Sequence, residues 1–349
     1  MGQFAALRTQ KIEGFEELKE VVLGTRREIV QLEHGKLNGE ITHAMIGDLP
    51  IHNASFNRGI RTKGVLPRDR IGIGLLTASA DHVVRSSYDS RPGDVLVTQP
   101  GSELEIRYYG GASIIVVMTS EADIESSYGT EARMRDPSCW WNNHYKGSAE
   151  TVTFVPRLQS LLVRLGDALL TAEAAEFWKR TVIEAVTDNI VAGIPSERDG
   201  PLPSALRIVR HVEEYLDART MQAVHVSEIC GQFHLSRRTL HRAFHEALGV
   251  GPISFLRDRR LCAVHTALRT PEDPRTISDI AMQYGFQNLG RFAGYYRQLF
   301  GEYPSETRQR HSPQLAPSFG GHEVSQQTSG SSCHEHAASR SVVVTRAGG

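Results

Sequence analysis

The feature that most constrains this chain is an internal repeat within residues 225–304. The first copy begins at His225 and the second at Thr276. Matching residues are offset by 51 before the turn and by 52 after it, because the second turn is one residue longer. Both copies contain a glycine, Gly249 or Gly301, followed three residues later by proline. The anchors and their hydrophobic spacing predict a helix-turn-helix unit that occurs twice.

Local signals place the two helices of each copy. Thr276 is a good N-cap for the first helix of its copy, whereas His225 is a weaker choice at the same position. Ser236 and Asn288 are caps for the second helices, whose apolar residues recur at helical spacing. These residues are Leu240, Ala243, Phe244, Ala247 and Leu248 in the first copy and Phe292, Tyr295, Tyr296, Leu299 and Phe300 in the second. We expect this face to be buried and the opposite face to be exposed.

The opposite face of the first of these helices is basic and is the candidate surface for double-stranded DNA. A helix fits the major groove, where arginine bonds guanine bidentately and its neighbours hold phosphates. A lone basic helix is more often a solvated charged face, but the repeat and its turns favour DNA contact here. The residues concerned are Arg237, Arg238, Thr239, His241, Arg242 and His245.

The second helix of the second copy is a weaker candidate for reading bases. Asn288, Arg291 and Arg297 lie on its predicted exposed face and are enough to hold phosphates. Gly290 and Gly294 occupy positions from which side chains would reach the groove, and two glycines also weaken a helix. The sequence therefore leaves open whether the second unit reads bases.

This region resembles the DNA-binding domain of the AraC/XylS family of bacterial transcription regulators. The resemblance rests on the two units, the segment 252–268 between them and the closing run YGFQNLGRFAGYYRQLFGEYPSETR. It implies two helix-turn-helix units joined by a long helix, which read two successive major-groove segments. By position it assigns base reading to Arg238, His241, Arg242 and Arg291. The exposed residues that remain are the candidates for backbone or supporting contacts: Ser236, Arg237, Thr239, His245, Asn288 and Arg297. Gly290 and Gly294 depart from the larger polar residues usual in the family.

The charge distribution is consistent with this interpretation. The 349 residues carry a net charge of −1, but residues 204–310 hold 15 Arg, no Lys and 11 acidic residues. That part is therefore the one suited to a polyanion, and arginine suits bidentate recognition. No apolar run approaches a membrane span, no secretory signal is present and the four cysteines form no framework. We expect a soluble, cytoplasmic protein.

Residues 1–150 are predicted to be mostly strands. Apolar residues alternate along short runs, and Gly-, Pro- and Asp-rich turns separate these runs, which is typical of a sandwich or small barrel. The PGD and PG turns within 92–101 resemble the second half of a cupin motif, and AraC-type regulators often carry a cupin-like sensing domain here. The predicted fold class is α+β multidomain: a cupin-like β-barrel or sandwich with a helical hairpin, followed by an all-α domain.

The expected domain boundaries follow from these patterns. They are a sensing domain at 1–150, a helical segment at 151–195, a linker at 196–203, the double helix-turn-helix domain at 204–310 and a disordered tail at 311–349. The helical segment carries an apolar stripe that either covers the β domain or forms a homodimer interface. The stripe consists of Leu158, Leu161, Leu165 and Leu169.

A barrel of this kind can hold a small molecule in its mouth. The candidate effector pocket consists of His43, Met45, Arg58, Leu75 and Tyr108, although the alternation does not decide which face of each strand points inward. We therefore expect a small-molecule effector, and RNA polymerase and a second copy of the chain are the expected protein partners.

An enzymatic role is the first alternative. Metal-dependent cupins place two histidines and a carboxylate on adjacent strands. His34, His43, His52 and His82 are widely spaced without an H-x-H pair, so each is more simply a surface or core histidine. No phosphate-binding or nucleophile motif is present, and we expect no catalytic site, metal or cofactor. The alternatives left open are a cupin-type enzyme fused to a DNA-binding module and a regulator whose N-terminal domain binds protein.

Overall fold

The computed structural model describes residues 5–19, 27–85, 88–128, 144–147, 149–166, 170–192, 204–219, 224–271 and 273–311. Within these residues the chain has a sheet-rich N-terminal part and a helical C-terminal part, which confirms the predicted fold class. The strands are β1 (Ala5–Ile12), β2 (Arg27–Gln31), β3 (Gly39–Ile46), β4 (Leu49–Phe56), β5 (Ile60–Val65), β6 (Ile71–Ser79), β7 (Val83–Arg85), β8 (Tyr88–Ser90), β9 (Val95–Thr98), β10 (Glu103–Tyr108), β11 (Ala112–Thr119) and β12 (His144–Tyr145).

The helices lie mostly after the strands. They are α1 (Phe15–Lys19), α2 (Glu121–Tyr128), α3 (Ala149–Gly166), α4 (Ala172–Ala192), α5 (Ser204–Asp217), α6 (Val226–Gln232), α7 (Arg237–Leu248), α8 (Pro252–Leu268), α9 (Ile277–Gln283), α10 (Leu289–Phe300) and α11 (Pro304–His311). Of the helices in this described part of the chain, none has both the length and the apolarity to cross a bilayer. The predicted linker at 196–203 and the residues after His311 lie outside the description.

The strands form two antiparallel sheets that face each other. The larger has the order β1-β3-β4-β11-β6-β9-β12 and the smaller β2-β5-β10-β7-β8. The two sheets meet where the rings of Phe56 and Tyr108 pack edge to face with centroids 5.1 Å apart. Arg85 of the smaller sheet also donates to the carbonyl of Val97 in the larger sheet at 2.6 Å. The predicted sandwich is thus present.

Helices α3 and α4 cover the outer face of the larger sheet. Leu158, which was a candidate for a homodimer interface, is fully buried in the cluster between these helices and the sheet. Leu161 is half-buried against the same cluster. Leu169 and the side chain of Leu165 lie outside the described residues. The expectation for Leu158 is therefore corrected, because periodicity shows that a helix face is apolar but not whether its partner is the same chain.

The outer face of the smaller sheet is charged and packs against the C-terminal helices. Arg61 on β5 pairs with Glu213 on α5, and both side chains are almost completely buried. At another point of the contact, Arg259 on α8 donates to Glu28 on β2 at 2.9 Å. The smaller sheet therefore contacts the helical domain through a polar surface, and beside it the buried ring of Phe15 on α1 packs against Phe300 on α10 with centroids 6.2 Å apart.

Helix α8 joins the two helix-turn-helix units and supplies their shared core. Phe255 on α8 packs against Phe244 on α7 with ring centroids 5.5 Å apart. Further along α8, His265 lies 4.4 Å, centroid to centroid, from Phe300 on α10. Helix α8 therefore contacts both α7 and α10, the second helices of the two units, which we call the recognition helices. It also lies between the two units in the chain and connects them covalently.

The burial of Leu158 is testable by truncation. Leu158→Ala should lower the free energy of unfolding by about 2–5 kcal/mol, since it leaves a cavity between α3 and the sheet. Val163→Ala is the matched control, because Val163 on the same helix is 69% exposed and its truncation should cost less than about 0.5 kcal/mol. Urea denaturation of the full chain measures both. Equal losses for the two variants would contradict this packing.

Candidate DNA-binding surface

The first helix-turn-helix unit is defined by side-chain caps. The amide of Ser227 donates to Nδ1 of His225 at 3.3 Å, and the amide of His225 donates to the Glu228 carboxylate at 3.3 Å. His225 thus caps α6 although the sequence rates it a weaker cap. At the start of α7, the amide of Thr239 donates to Oγ of Ser236 at 3.0 Å. These bonds satisfy backbone amides that a helix N-terminus leaves unpaired.

The second unit repeats these devices. Thr276 and Asp279 form a reciprocal capping box at the start of α9. Asn288 caps α10 by accepting from the amide of Arg291 at 2.9 Å. Helix α10 ends at Gly301, whose φ of 76° is left-handed, as is the φ of 71° at Gly249 after α7. Both predicted caps and both predicted C-terminal glycines are confirmed.

The turns of the two units share an unusual backbone conformation. His234 has a φ of 51° and Gly285, its counterpart 51 residues later, has a φ of 82°. Glycine adopts this region without steric cost, whereas a side chain at Cβ is strained there by about 1–2 kcal/mol. The first unit therefore has a strained residue at the position where the second has glycine.

The apolar faces of α7 and α10 form the core as predicted, with one exception. The buried residues are Leu240, Ala243, Phe244, Ala247 and Leu248 on α7 and Phe292, Tyr296, Leu299 and Phe300 on α10. Tyr295, which was predicted on the same face, is 37% exposed and lies under the guanidinium of Arg257 at 4.6 Å. Each helix thus presents its other face to solvent.

The exposed face of α7 carries the residues predicted to contact DNA. Arg237, Arg238, His241, Arg242 and His245 are exposed, and Thr239 is half-buried. Arg242 lies 3.7 Å from Glu246, with both side chains more than half exposed, so this ion pair contributes little and leaves Arg242 available. The structure therefore brings the candidate base-reading residues of the first unit together on one open surface.

The exposed face of α10 carries fewer side chains than that of α7, because Gly290 and Gly294 lie on it. Arg291 is exposed, whereas Arg297 donates to the hydroxyl of Tyr303 at 2.7 Å and lies over its ring. A Cβ at Gly294 would meet no heavy atom within 4 Å, and at Gly290 it would meet only Oδ1 of Asn288, at 3.6 Å. Packing within the protein therefore does not require either glycine.

The candidate effector residues of the β domain are not brought together. His43, Met45 and Tyr108 lie on strand faces directed into the sandwich. Leu75 is buried on the opposite face, in the cluster under α3 and α4, so its assignment to the same pocket is corrected. Arg58 lies near the surface and pairs with Glu33 at 3.0 Å. The physical reason is that alternation along a strand does not reveal which face is covered by which partner.

The sandwich interior contains a buried histidine pair. Nδ1 of His43 lies 2.9 Å from Nδ1 of His52, which is only 1% exposed. Burial, with smaller contributions from His43 and Arg27, lowers the pKa of His52 to about 3, so the imidazole stays neutral. Among the described residues, no three His, Cys, Asp or Glu side chains are grouped so as to hold a metal ion.

A cleft of about 990 Å³ opens between the two domains. Its walls come from α1, β2 and β5 on one side and from α5, α8 and the residues that flank α9 on the other. Its charged lining residues are Lys19, Arg27, Lys63, Arg219, Arg259, Arg260 and Arg275, with Glu28, Asp217 and Asp273. The sequence did not reveal this basic cleft, because its residues are far apart along the chain.

The strained turn provides a test of the repeat. His234→Gly should raise the free energy of unfolding by about 0.5–1 kcal/mol, because relief of the left-handed strain exceeds the entropic cost of glycine. Gly285→Ala should lower it by about 1–2 kcal/mol for the opposite reason. Guanidinium denaturation measures both variants. A lower free energy of unfolding in His234→Gly would contradict the proposed strain, because the exposed His234 side chain would then stabilise the turn.

Comparisons with known proteins agree with this architecture. Residues 229–310 match a family of helix-turn-helix domains. XylDLEGF operon transcriptional activator 3 of Pseudomonas putida is 33% identical over 287 residues, which span 77% of this chain and 82% of the relative. XylDLEGF operon transcriptional activator 1 of the same organism is 25% identical over 303 residues, spanning 81% and 88%.

Among solved structures, the AraC-like transcriptional activator CuxR aligns with 65% of this chain and 80% of its own, at 17% identity and a TM-score of 0.35. The family assignment rests on the sequence relatives, whose similarity extends well beyond the helix-turn-helix region into the β domain. Together with the duplicated unit and its exposed basic helix, this similarity identifies a DNA-binding transcription regulator. The chain belongs to the AraC/XylS family.

Proposed function

We propose that this protein is an effector-responsive transcription activator that reads double-stranded DNA chiefly through α7. The observation that carries the proposal is the open face of that helix, where Arg238, His241 and Arg242 lie together. Arginine at such a position can bond guanine bidentately, and each good pair is worth about 1–3 kcal/mol of discrimination. The activator role is supported by the Pseudomonas relatives, which are operon activators.

The two units have unequal roles in this proposal. Helix α10 offers Arg291 as a base-reading residue, with Asn288 already used as a helix cap and Arg297 held against Tyr303. Gly290 and Gly294 carry no side chains, so the DNA backbone can approach the helix closely at these two positions. The second unit therefore acts mainly as a clamp on phosphates, and the first supplies most of the sequence preference.

We propose the interdomain cleft as the effector site, in preference to the barrel mouth inferred from the sequence. The volume of about 990 Å³ suits a small organic molecule, and basic lining residues outnumber acidic ones. The favoured effector is therefore an anion such as a carboxylate. A ligand shifts an equilibrium between two conformations only if it binds one of them more tightly. Because both domains contribute walls to the cleft, a movement of one domain against the other would change the affinity for the ligand.

We also propose that the protein acts in the cytoplasm as a homodimer in contact with RNA polymerase. The apolar residues Val163 and Phe177, both more than 60% exposed, are available to a second copy on the hairpin, whereas Leu158 is not. We assign no catalytic activity. Catalytic turnover by the β domain loaded with metal would favour a cupin-type enzyme fused to a DNA-binding module. Binding of a protein in place of the effector would favour a regulator whose N-terminal domain binds protein.

Two variants test whether α7 supplies most of the base reading and α10 mainly the phosphate contacts. Arg242→Ala should relax the preference at one position of the site and cost about 1–3 kcal/mol there, because a bidentate contact is lost. Arg297→Ala should weaken binding to all sequences alike and reduce the slope of log affinity against log salt by about 1.

Affinities of the full chain for a library of duplexes measure both effects. Wild-type protein without any preferred sequence would contradict the proposed function. Identical preference profiles for the two variants would contradict only the unequal roles.

The effector site can be tested by thermal unfolding of the full chain with small carboxylates and their neutral amides. A bound ligand at about a hundred times its Kd adds about 2.7 kcal/mol of stability, which raises Tm. We expect a rise with one class of carboxylate and none with the amide. Arg260→Gln in the cleft should abolish the rise, while Arg238→Gln on α7 should preserve it. Equal stabilisation by the amide, or an unchanged rise in Arg260→Gln, would contradict an anion site in the cleft.

A further inference from the structure

The N-terminal domain binds the C-terminal end of α7. The last-turn carbonyls of a helix have no amide partner within the helix, so they need other donors. The carbonyl of Ala247 accepts from Nη1 of Arg107 at 2.6 Å and from the hydroxyl of Tyr109 at 3.1 Å. Both donors lie at the end of β10. The first recognition helix is thus held by its C-terminal end, away from its basic face.

The same domain binds the end of α10 at the equivalent position of the repeat. Leu299 follows Ala247 by 52 residues, which is the offset of the two units after the turn. Its carbonyl accepts from Nε2 of Gln31 at 2.7 Å and from the amide of Gly35 at 3.1 Å. These donors come from β2 and the loop that follows it. Two unrelated elements of the β domain therefore make the same kind of contact with both recognition helices.

The glycines that end these helices are also covered. A Cβ at Gly249 would lie 3.4 Å from the ring of Tyr109, and a Cβ at Gly301 would lie 2.9 Å from the backbone nitrogen of Lys36. Gly301 also follows Gly249 by 52 residues. In each unit, both the free carbonyl and the left-handed glycine contact the N-terminal domain.

The donors are held rigidly. Glu105 accepts from Nη2 of Arg107 at 2.8 Å and also from Nε of Arg61 at 3.2 Å. Burial would raise the pKa of Glu105, but the two guanidiniums outweigh it and hold the pKa below its ordinary value, so the carboxylate stays charged. Gln31 is 1% exposed, and its Nε2 also lies 2.7 Å from the carbonyl oxygens of Glu33 and Gly35, which share its two N–H groups with Leu299. Neither donor can follow a movement of its recognition helix without losing other bonds.

We propose that the N-terminal domain is a template that sets the separation and angle of the two recognition helices, with Gln31, Arg107 and Tyr109 as its positioning residues. Helix α8 alone links the two units covalently, and the template adds a second, non-covalent link between their far ends. The basic face of α7 remains open, so this contact does not block DNA. This inference rests on the proposed DNA-reading function and concerns how that function is regulated.

If the N-terminal domain fixes the two recognition helices, the protein should prefer one spacing between the two halves of its DNA site. Successive major-groove segments on one face of DNA are about 10–10.5 base pairs apart, and one added base pair shifts and rotates the second segment. A reader with two rigidly held helices loses the second segment when the spacing changes. A reader joined only by α8 adapts to both spacings, with weaker binding to the best one.

The experiment measures the affinity of the full chain for duplexes whose two blocks, taken from the preferred site, are separated by one base pair fewer, the natural number or one more. Wild type should favour one spacing by at least about tenfold, within the usual range of coupling between sites. The double variant Gln31→Ala/Arg107→Ala should bind that spacing roughly tenfold more weakly and discriminate between spacings by only about threefold. Tyr109→Phe, which removes one donor and keeps the ring on Gly249, should shift the profile in the same direction by less.

The matched control is Arg210→Ala. Arg210 on α5 bonds Glu103 of the β domain at 2.7 Å, so its loss weakens the domain contact without touching either recognition helix. Its spacing profile should match wild type, and Arg107→Lys should restore part of the preference lost in Arg107→Ala. Thermal unfolding and circular dichroism establish that each variant is folded.

Three outcomes overturn the proposal, and they are distinguishable. If wild type prefers no sequence, the proposed function fails and the template fails with it. If wild type prefers a two-block site but the double variant and Tyr109→Phe keep its spacing profile, only the template is wrong. Tighter binding of the variants at every spacing would also overturn it, since the N-terminal contacts would then restrain the reader instead of organising it.

Discussion

The structure depends on a buried ionic contact between two domains. Arg61 on the smaller sheet and Glu213 on α5 pair where neither side chain reaches water. Burial raises the pKa of Glu213 to about 7 even though Arg61 opposes the shift, which indicates how far this contact is removed from solvent. Breaking such a pair by removing one partner costs about 3–5 kcal/mol, because the other charge remains buried and uncompensated. The pair therefore disfavours any arrangement of the two domains that would separate Arg61 from Glu213.

Further ionic contacts extend from the Arg61–Glu213 pair across the smaller sheet. Arg61 and Arg107 both donate hydrogen bonds to Glu105. Arg107 also donates to the carbonyl of Ala247 at the end of α7. On another side of the contact, Arg259 bonds Glu28 and forms part of the cleft wall. The cleft proposed for the effector and the C-terminal end of α7 thus lie against the same charged face of the sheet.

The helix-turn-helix units could be predicted in detail because their signals are local. Caps such as Ser236 and Asn288 act within three residues, and the apolar spacing of α7 follows from helical geometry. The domain contact could not be predicted in this way. Along β10, Glu105 and Arg107 alternate with apolar residues and resemble a solvent-exposed face, yet the acceptor of Arg107 lies 140 residues further along the chain. Leu75 and Leu158 show the same limit, since periodicity identifies an apolar face but not the element that covers it.

In the proposed function the two units enter successive grooves on one face of the duplex. Hydroxyl-radical footprinting of the full chain on its preferred duplex tests this arrangement. We expect two protected blocks with centres about 10–10.5 base pairs apart on the same face of the duplex. A single protected block, or two blocks on opposite faces, would contradict it.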